Sequence, residues 1–287
     1  VDAGARSLND YRDSEVLYFF ASGLQALYTA PAAGIVDWLP PGLCSETYFP
    51  RPTSRQVEFL FAGHISLPWT EKELDRVVHQ DETKTLRFGE LTKAYYSAWD
   101  ELGGLRMLPP WGARHIIKNC MKNLVGCPVQ VDDPRLDYDI HVRNVRMYNR
   151  TGLMNMVLNV SRSLAVYGPD NWGAWPRYAQ YFSGFLNDPG AMREAYQRAG
   201  FVLHEGVGTH FRTFDCMGSG AVLAFASSVE DDQPQGINSL FEPHRHYIPV
   251  SEDSLPDVVA RYRSDERQRR RIGEQAAELV HQKHTWR

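Results

Sequence analysis

Phe201 to Phe225, FVLHEGVGTHFRTFDCMGSGAVLAF, decides how this chain is read. It reads as a short apolar strand, a glycine-bearing loop, a helix opening near Thr209 and a second apolar strand. A strand end, a glycine-rich loop and a helix N-terminus together make an anion site. Unpaired backbone N–H groups and the positive end of the helix dipole converge there. Asp215 falls about one and a half turns into the helix, at ~3.6 residues per turn, where its carboxylate could accept from two ribose hydroxyls. The stretch predicts a nucleotide-diphosphate site, although it is not a Walker loop. The same pattern also fits a purely structural role, with Gly206, Gly208, Gly218 and Gly220 closing strand–helix packing and Asp215 solvated.

Working outward, short apolar runs bounded by Gly or Pro predict strands at Val57–Ala62, Leu164–Tyr167, Gly200–Leu203 and Ala221–Ala226. Helical periodicity falls on Glu71–Val78, Lys93–Leu102, Trp111–Leu124, Val145–Val160, Ala191–Arg198 and Leu255–Tyr262. Gly168-Pro169-Asp170-Asn171 marks a turn after a strand, and Asp188-Pro189-Gly190 marks one before a helix. Alternating strands and helices predict an α/β fold, a Rossmann-like parallel sheet with helices on both faces. Ligands of such sheets bind outside the carboxyl ends of the strands, where Gly63, Gly168 and Glu205 fall.

Composition sets limits. The 287 residues are 43% hydrophobic and 23% charged, an ordinary globular balance. A formal charge of −4 gives no support for a nucleic-acid partner. No apolar run approaches the roughly 18 residues of a membrane span. Cys44, Cys120, Cys127 and Cys216 show no metal spacing such as CxxC and suit reduced thiols in a cytoplasmic protein. The chain opens without Met and shows no signal-peptide pattern.

Several stretches resemble the donor half of GT-B glycosyltransferases, in the group-1-like branch that includes the CgeB-like spore maturation proteins. Leu203-His204, Arg212, Asp215 and Gly218-Ser219-Gly220 match that branch's strand end, arginine, acidic residue and small-residue turn. Ile35–Pro50, IVDWLPPGLCSETYFP, resembles the linker from acceptor to donor domain, and Val57–Gly63, VEFLFAG, the first donor-domain strand. Leu164–Trp172, LAVYGPDNW, resembles the next strand and loop, and the closing helix ends at His284-Thr285-Trp286 as in the family. The resemblance covers about Ile35 to Arg287 and omits Leu67–Asn149.

It implies residues 1–50 as the remnant of an acceptor-side domain with its linker, Glu15–Phe20 being that domain's last strand or helix. Residues 51–265 would form the nucleotide-sugar domain, with a helical insertion over about 67–149, and 266–287 a terminal helix. The chain then reads as the C-terminal half of a larger enzyme.

The resemblance also implies a glycosyltransferase moving a sugar from a nucleotide-diphosphate donor to an acceptor such as a glycan, protein or small molecule. Leaving-group charge must be neutralised, and with no credible metal motif the protein itself would supply the cation. Arg212 fits, since a guanidinium pairs bidentately with phosphate oxygens. Its alternative role is an ion pair with Asp215 or Glu205. Asp215 would hold the ribose, and the amides of Gly208, Thr209 and His210 the diphosphate. His210 could instead meet the sugar, with His64, beside Gly63, across the cleft. Larger group-1 enzymes carry Glu at the Asp215 position and another Glu about eight residues earlier, where this chain has Val207, with Glu205 two residues away. A noncatalytic nucleotide- or protein-binding module and a nucleotide-sugar epimerase remain rival readings.

Three other features have bland and sharp readings. Asp137-Tyr138-Asp139 matches the DxD metal signature of the GT-A fold or is a solvated loop. Glu242, His244 and His246 in FEPHRHY could ligate a metal, contact substrate or satisfy their own loop. Arg267, Arg269, Arg270 and Arg271 form either a peripheral membrane contact or a solvated helix face paired with Glu266, Glu274 and Glu278.

Overall fold

The computed structural model describes residues 14, 16–19, 35–101, 107, 110–206, 208–234 and 236–286. Val207, most of the EVLYFF flanks and Arg287 lie outside them. The strands are β1 (Val16–Phe19), β2 (Ile35–Trp38), β3 (Val57–Ala62), β4 (Val77–Gln80), β5 (Thr85–Arg87), β6 (Leu164–Tyr167), β7 (Ala199–His204), β8 (Leu223–Ala226) and β9 (Ile248–Val250). The helices up to the middle of the chain are α1 (Glu71–Leu74), α2 (Phe88–Glu101), α3 (Pro110–Val125), α4 (Pro134–Tyr138) and α5 (Asn144–Val160). They are followed by α6 (Pro189–Arg198), α7 (Phe211–Gly218), α8 (Ile237–Leu240), α9 (Leu255–Arg263) and α10 (Glu266–Lys283).

Five strands form one parallel sheet in the order β6-β3-β7-β8-β9. Their residues alternate between two buried faces, which is why the runs read as continuously apolar rather than alternating. Phe59, Phe61, Phe201, Leu203, Ala224 and Ala226 face one core, with Leu153, Met154 and Val157 of α5 and Val259 and Tyr262 of α9. Leu60, Ala62, Val202, Leu223 and Phe225 face the other, with Tyr196 of α6, Phe214 and Met217 of α7 and Ala276 and Val280 of α10. Each fully buried Phe contributes about 2–3 kcal/mol. The expected α/β sheet covered on both faces is present. The terminal helix α10 forms part of that cover through Ala276 and Val280.

The first core strand, β3, lies between the second, β6, and the third, β7. The chain therefore crosses from one side of β3 to the other, and the sheet has its topological switch point between the carboxyl ends of β3 and β7. Gly63-His64 and Glu205-Gly206 follow those ends directly.

Helix starts are written locally. Asp188 caps α6 by accepting from Ala191 N at 2.7 Å, and Pro189 takes the first turn, where no amide partner is needed. The helix expected over Glu71–Val78 is shorter. It stops at Leu74, and Val77-Val78 instead join β4, paired antiparallel with β5. β-branched residues favour that extended state over a frayed helix end. The inserted segment has a core of its own, with Phe88, Leu91 and Tyr95 of α2 against Ile117 and Met121 of α3. A π-turn at Asp139–Arg143 joins α4 to α5, so the insertion runs straight into the sheet-covering helix.

Asp137 and Asp139 lie in this helical run rather than in a solvated loop. Asp139 is buried and pairs with Arg76 at 2.7 Å and Arg143 at 3.5 Å, while Asp137 pairs with His141 at 3.0 Å. The FEPHRHY loop satisfies itself: His246 Nδ1 accepts from Glu242 N at 3.0 Å, and Glu242 pairs with Arg245. In α10, Arg269 is buried and donates to Arg263 O at 2.7 Å, and Arg270 lies 3.7 Å from Glu266.

Candidate nucleotide-sugar site

The switch point places Glu205 at the end of β7, with its side chain largely buried at 13% exposure. Arg150 of α5 meets it bidentately, Nε to Oε2 at 2.5 Å and Nη2 to Oε1 at 2.7 Å. Arg212 Nη2 stands 4.0 Å from the same carboxylate. Burial would push the Glu205 pKa up, but the Arg150 charge and hydrogen bonds, with Arg212 behind them, hold it well below the carboxylate range. Arg143, Arg146 and Arg150 are spaced i, i+3, i+7 on one run of helix, hence on one face. Arg143 is engaged by Glu73 at 3.0 Å and by the Trp69 ring at 3.9 Å. Arg150 and Arg212 thus share one carboxylate, and Arg146 is near enough to act electrostatically on Arg212 and His64, which leaves an excess of positive charge.

The loop after Glu205 is shaped by glycine. Gly206 has φ +65, and a Cβ on it would fall 1.6 Å from Ala226 O of β8. Gly208 also has a left-handed φ of +67. Gly63 and Gly168 meet at the ends of β3 and β6: a Cβ on Gly168 would lie 2.3 Å from Gly63 O. That carbonyl also accepts from Trp172 Nε1 at 2.7 Å. The Arg212 guanidinium lies over Gly63, its Cζ 3.8 Å from where a Cβ would be.

The helix opens two residues later than the sequence suggests, at Phe211, because His210 is the N-cap. His210 Nδ1 accepts from Arg212 N at 3.3 Å, and its own amide donates to Thr213 Oγ1 at 3.2 Å. The His210 amide, expected to face the diphosphate, is therefore engaged, which leaves those of Gly208 and Thr209 for that role. His204 stacks on Phe225 at 5.1 Å and accepts from Gly206 N at 3.3 Å.

Burial, then Arg212, lowers the pKa of His204 to about 3 and of His210 to about 4. His64 is also lowered, by burial and then by Arg150 and Arg146. All three imidazoles are neutral at pH 7, so arginine carries the site's positive charge. Since Nδ1 accepts in both His204 and His210, Nε2 carries the proton in each.

Three buried polar groups in this crevice have no hydrogen-bond partner among the described residues: Arg150 Nη1, His204 Nε2 and Thr209 Oγ1. Their residues are 5%, 4% and 5% exposed. Buried donors are rarely left unpaired, and three together describe a place for an acceptor-rich ligand. Asp215, on the second turn of α7, is half-buried; burial, opposed by Arg212, raises its pKa to about 7. It acts in turn on Tyr48, which burial and then Asp215 push up to about 12.

The structure therefore brings Gly63, His64, Gly168, Glu205, Gly208, Thr209, His210 and Arg212 to one end of the sheet, with Asp215 on the adjoining helix. Sequence reasoning missed Arg150, Arg146 and the buried role of His204. One signal was available: Arg150 sits three and four residues before Leu153 and Met154, on the apolar stripe of α5, where an arginine needs a partner.

Residues 143–287 match the family described as glycosyl transferase-like. No curated protein matches the chain. Among solved structures it is similar to sucrose-phosphate synthase from Thermosynechococcus elongatus, at 11% identity and TM-score 0.45, over 94% of this chain and 54% of that one. Similarity to HepE from Anabaena, in complex with UDP and glucose, is 11% identity and TM-score 0.44, over 94% and 59%. The C-terminal domain of the group 1 glycosyl transferase LpcC from Francisella tularensis matches at 10% identity and TM-score 0.37, over 86% and 100%. The chain spans a little over half the length of the first two.

Proposed function

Since the chain belongs to the glycosyl transferase-like family, we propose that it is the donor module of a GT-B glycosyltransferase of the CgeB-like branch, moving a sugar from a nucleotide diphosphate to an acceptor. The observation that carries this reading is that Arg150 Nη1, His204 Nε2 and Thr209 Oγ1, all buried, have no partner among the described residues, beside the Arg150–Glu205–Arg212 cluster at the switch point. A diphosphate offers the acceptors and the charge that such a place takes.

As the glycosidic bond breaks, negative charge grows on the leaving diphosphate. Arg150 and Arg212, both set against Glu205, stabilise it, with Arg146 adding positive potential and the amides of Gly208 and Thr209 ahead of α7. Because these cations are built in, transfer is proposed to be metal-independent. Asp215 accepts from the ribose hydroxyls in its ionised form, so binding draws its proton off. His64 and His210 flank the sugar as neutral groups. The acceptor and, for an inverting reaction, the base come from outside this chain. Cys44, Cys120, Cys127 and Cys216 are all unpaired thiols, which fits the proposed cytoplasmic location.

The test is thermal stabilisation by a panel of nucleoside diphosphates and their sugars. At a hundredfold excess over Kd a ligand specific for the folded state adds about 2.7 kcal/mol. A base-selective shift, abolished in Arg212→Ala and reduced in Asp215→Ala, is expected. A folded chain that no nucleotide stabilises would sink the proposal. Binding without donor turnover once an acceptor domain is supplied would favour the noncatalytic module. Conversion of the donor to its epimer without any acceptor would identify an epimerase.

A further inference from the structure

A second constellation lies on the insertion, where the β4–β5 hairpin meets the end of α3. His79 Nε2 is 3.2 Å from Asp81 Oδ2 and 4.0 Å from Cys127 Sγ. The three ligand-type atoms all lie within 4.8 Å of one another. From these we infer that His79, Asp81 and Cys127 hold a divalent transition-metal ion, with zinc the best fit to one nitrogen, one oxygen and one sulfur.

The geometry is close to that of a loaded site. Zinc bonds of about 2.0–2.3 Å in tetrahedral array set ligand atoms roughly 3.3–3.6 Å apart. The His–Asp separation already matches, the His–Cys separation needs a contraction of roughly half an ångström, and the Asp–Cys pair, within 4.8 Å, closes as both side chains turn onto the ion. Asp81 is oriented for the task. Its Oδ1 accepts from Thr83 N at 2.7 Å, Thr83 Oγ1 at 2.8 Å and Lys84 N at 2.8 Å, which aims Oδ2 at His79. Cys127 is placed by the end of α3, where Gly126 takes φ +85 and turns the chain. Lys84 Nζ donates to Leu124 O at 2.8 Å and already ties the hairpin to that helix end.

Three protein ligands leave a fourth position to water. The ion would cross-link the hairpin to the residue following the helix end, with one coordination position open to solvent. Linear spacing conceals the site, because the hairpin supplies two ligands and a separate helix end the third. On binding, the Cys127 S–H bond breaks, its proton passes to solvent and a metal–sulfur bond forms.

The experiment uses the whole chain, stripped with chelator and titrated with Co2+ followed by Zn2+. One Co2+ per chain is expected, with a thiolate-to-cobalt charge-transfer band and tetrahedral visible bands that Zn2+ displaces. Cys127→Ser removes the charge-transfer band and His79→Ala weakens binding at least about tenfold. Asp81→Asn keeps the sulfur band with lower affinity, and Cys44→Ser, at an exposed thiol, changes nothing. Circular dichroism establishes that each variant is folded. Absence of the band, its survival in Cys127→Ser or its loss in Cys44→Ser would overturn the inference.

Discussion

Replacing Arg150 by methionine tests the electrostatic centre of the crevice. The substitution keeps most of the aliphatic stem but removes both hydrogen bonds to Glu205, whose carboxylate stays buried. Losing one partner of a buried ion pair costs about 3–5 kcal/mol. Arg212 remains 4.0 Å from the carboxylate, an attraction of about 4 kcal/mol at an effective dielectric of ~20. That residual attraction places the expected loss near the lower end, about 3 kcal/mol. Urea unfolding at pH 7 measures it, alongside Glu205→Gln and the double variant. Removing the charge restores balance, so the double variant should recover about 2 kcal/mol relative to the sum of the single effects.

The pH profile gives an independent reading of the same pair. In the native chain the Glu205 pKa is lower folded than unfolded. Its stabilisation is therefore present above the unfolded value of about 4.3 and declines as pH falls towards the folded one. In Arg150→Met the lowering by Arg150 is lost while that by Arg212 stays, so the folded pKa moves up towards the unfolded one. This contribution then shrinks, and the dependence of stability on pH below about 4.3 flattens. A loss under about 1 kcal/mol, additive effects, or an unchanged pH slope would refute a paired, buried Glu205.

Two further outcomes are expected. Asp215 has its folded pKa raised to about 7, so its stabilisation is full below about 4 and lost as pH rises through 7. Asp215→Asn should therefore gain stability relative to the native chain at pH 8, on the order of 4 kcal/mol at most, and lose the rise in nucleotide affinity between pH 6 and 8, both measurable by thermal unfolding with and without ligand. Gly206→Ala would set a methyl group 1.6 Å from Ala226 O at φ +65. It should cost more than about 2 kcal/mol in urea unfolding and abolish nucleotide-induced stabilisation.

The sheet was legible because its strands are buried on both faces. Val57–Ala62, apolar but for Glu58 near its start, and Leu164–Tyr167 are short apolar runs whose limits the structure repeats. The start of α6 was legible because Asp188-Pro189-Gly190 encodes a cap and a turn in adjacent residues. The hairpin at Val77 was not, since its pairing with Arg87 competes with a helix that the local pattern also permits. Arg150 escaped for a different reason. Its partner Glu205 lies 55 residues away, and only the crossing of α5 over the sheet brings them together. Charge and residue type are local facts; which charges share a crevice depends on topology.

Arg143 has a consequence for how this chain can be cut and rejoined. Its Nη2 donates to Leu67 O at 3.0 Å, clasping the entrance of the inserted segment to its exit. A segment whose two ends touch is a closed module, and its removal asks only for a short splice. The same clasp sets the limit of such surgery. Immediately beyond it the helix carrying Arg146 and Arg150 begins, so a graft that starts one turn too late would unseat the crevice along with the module.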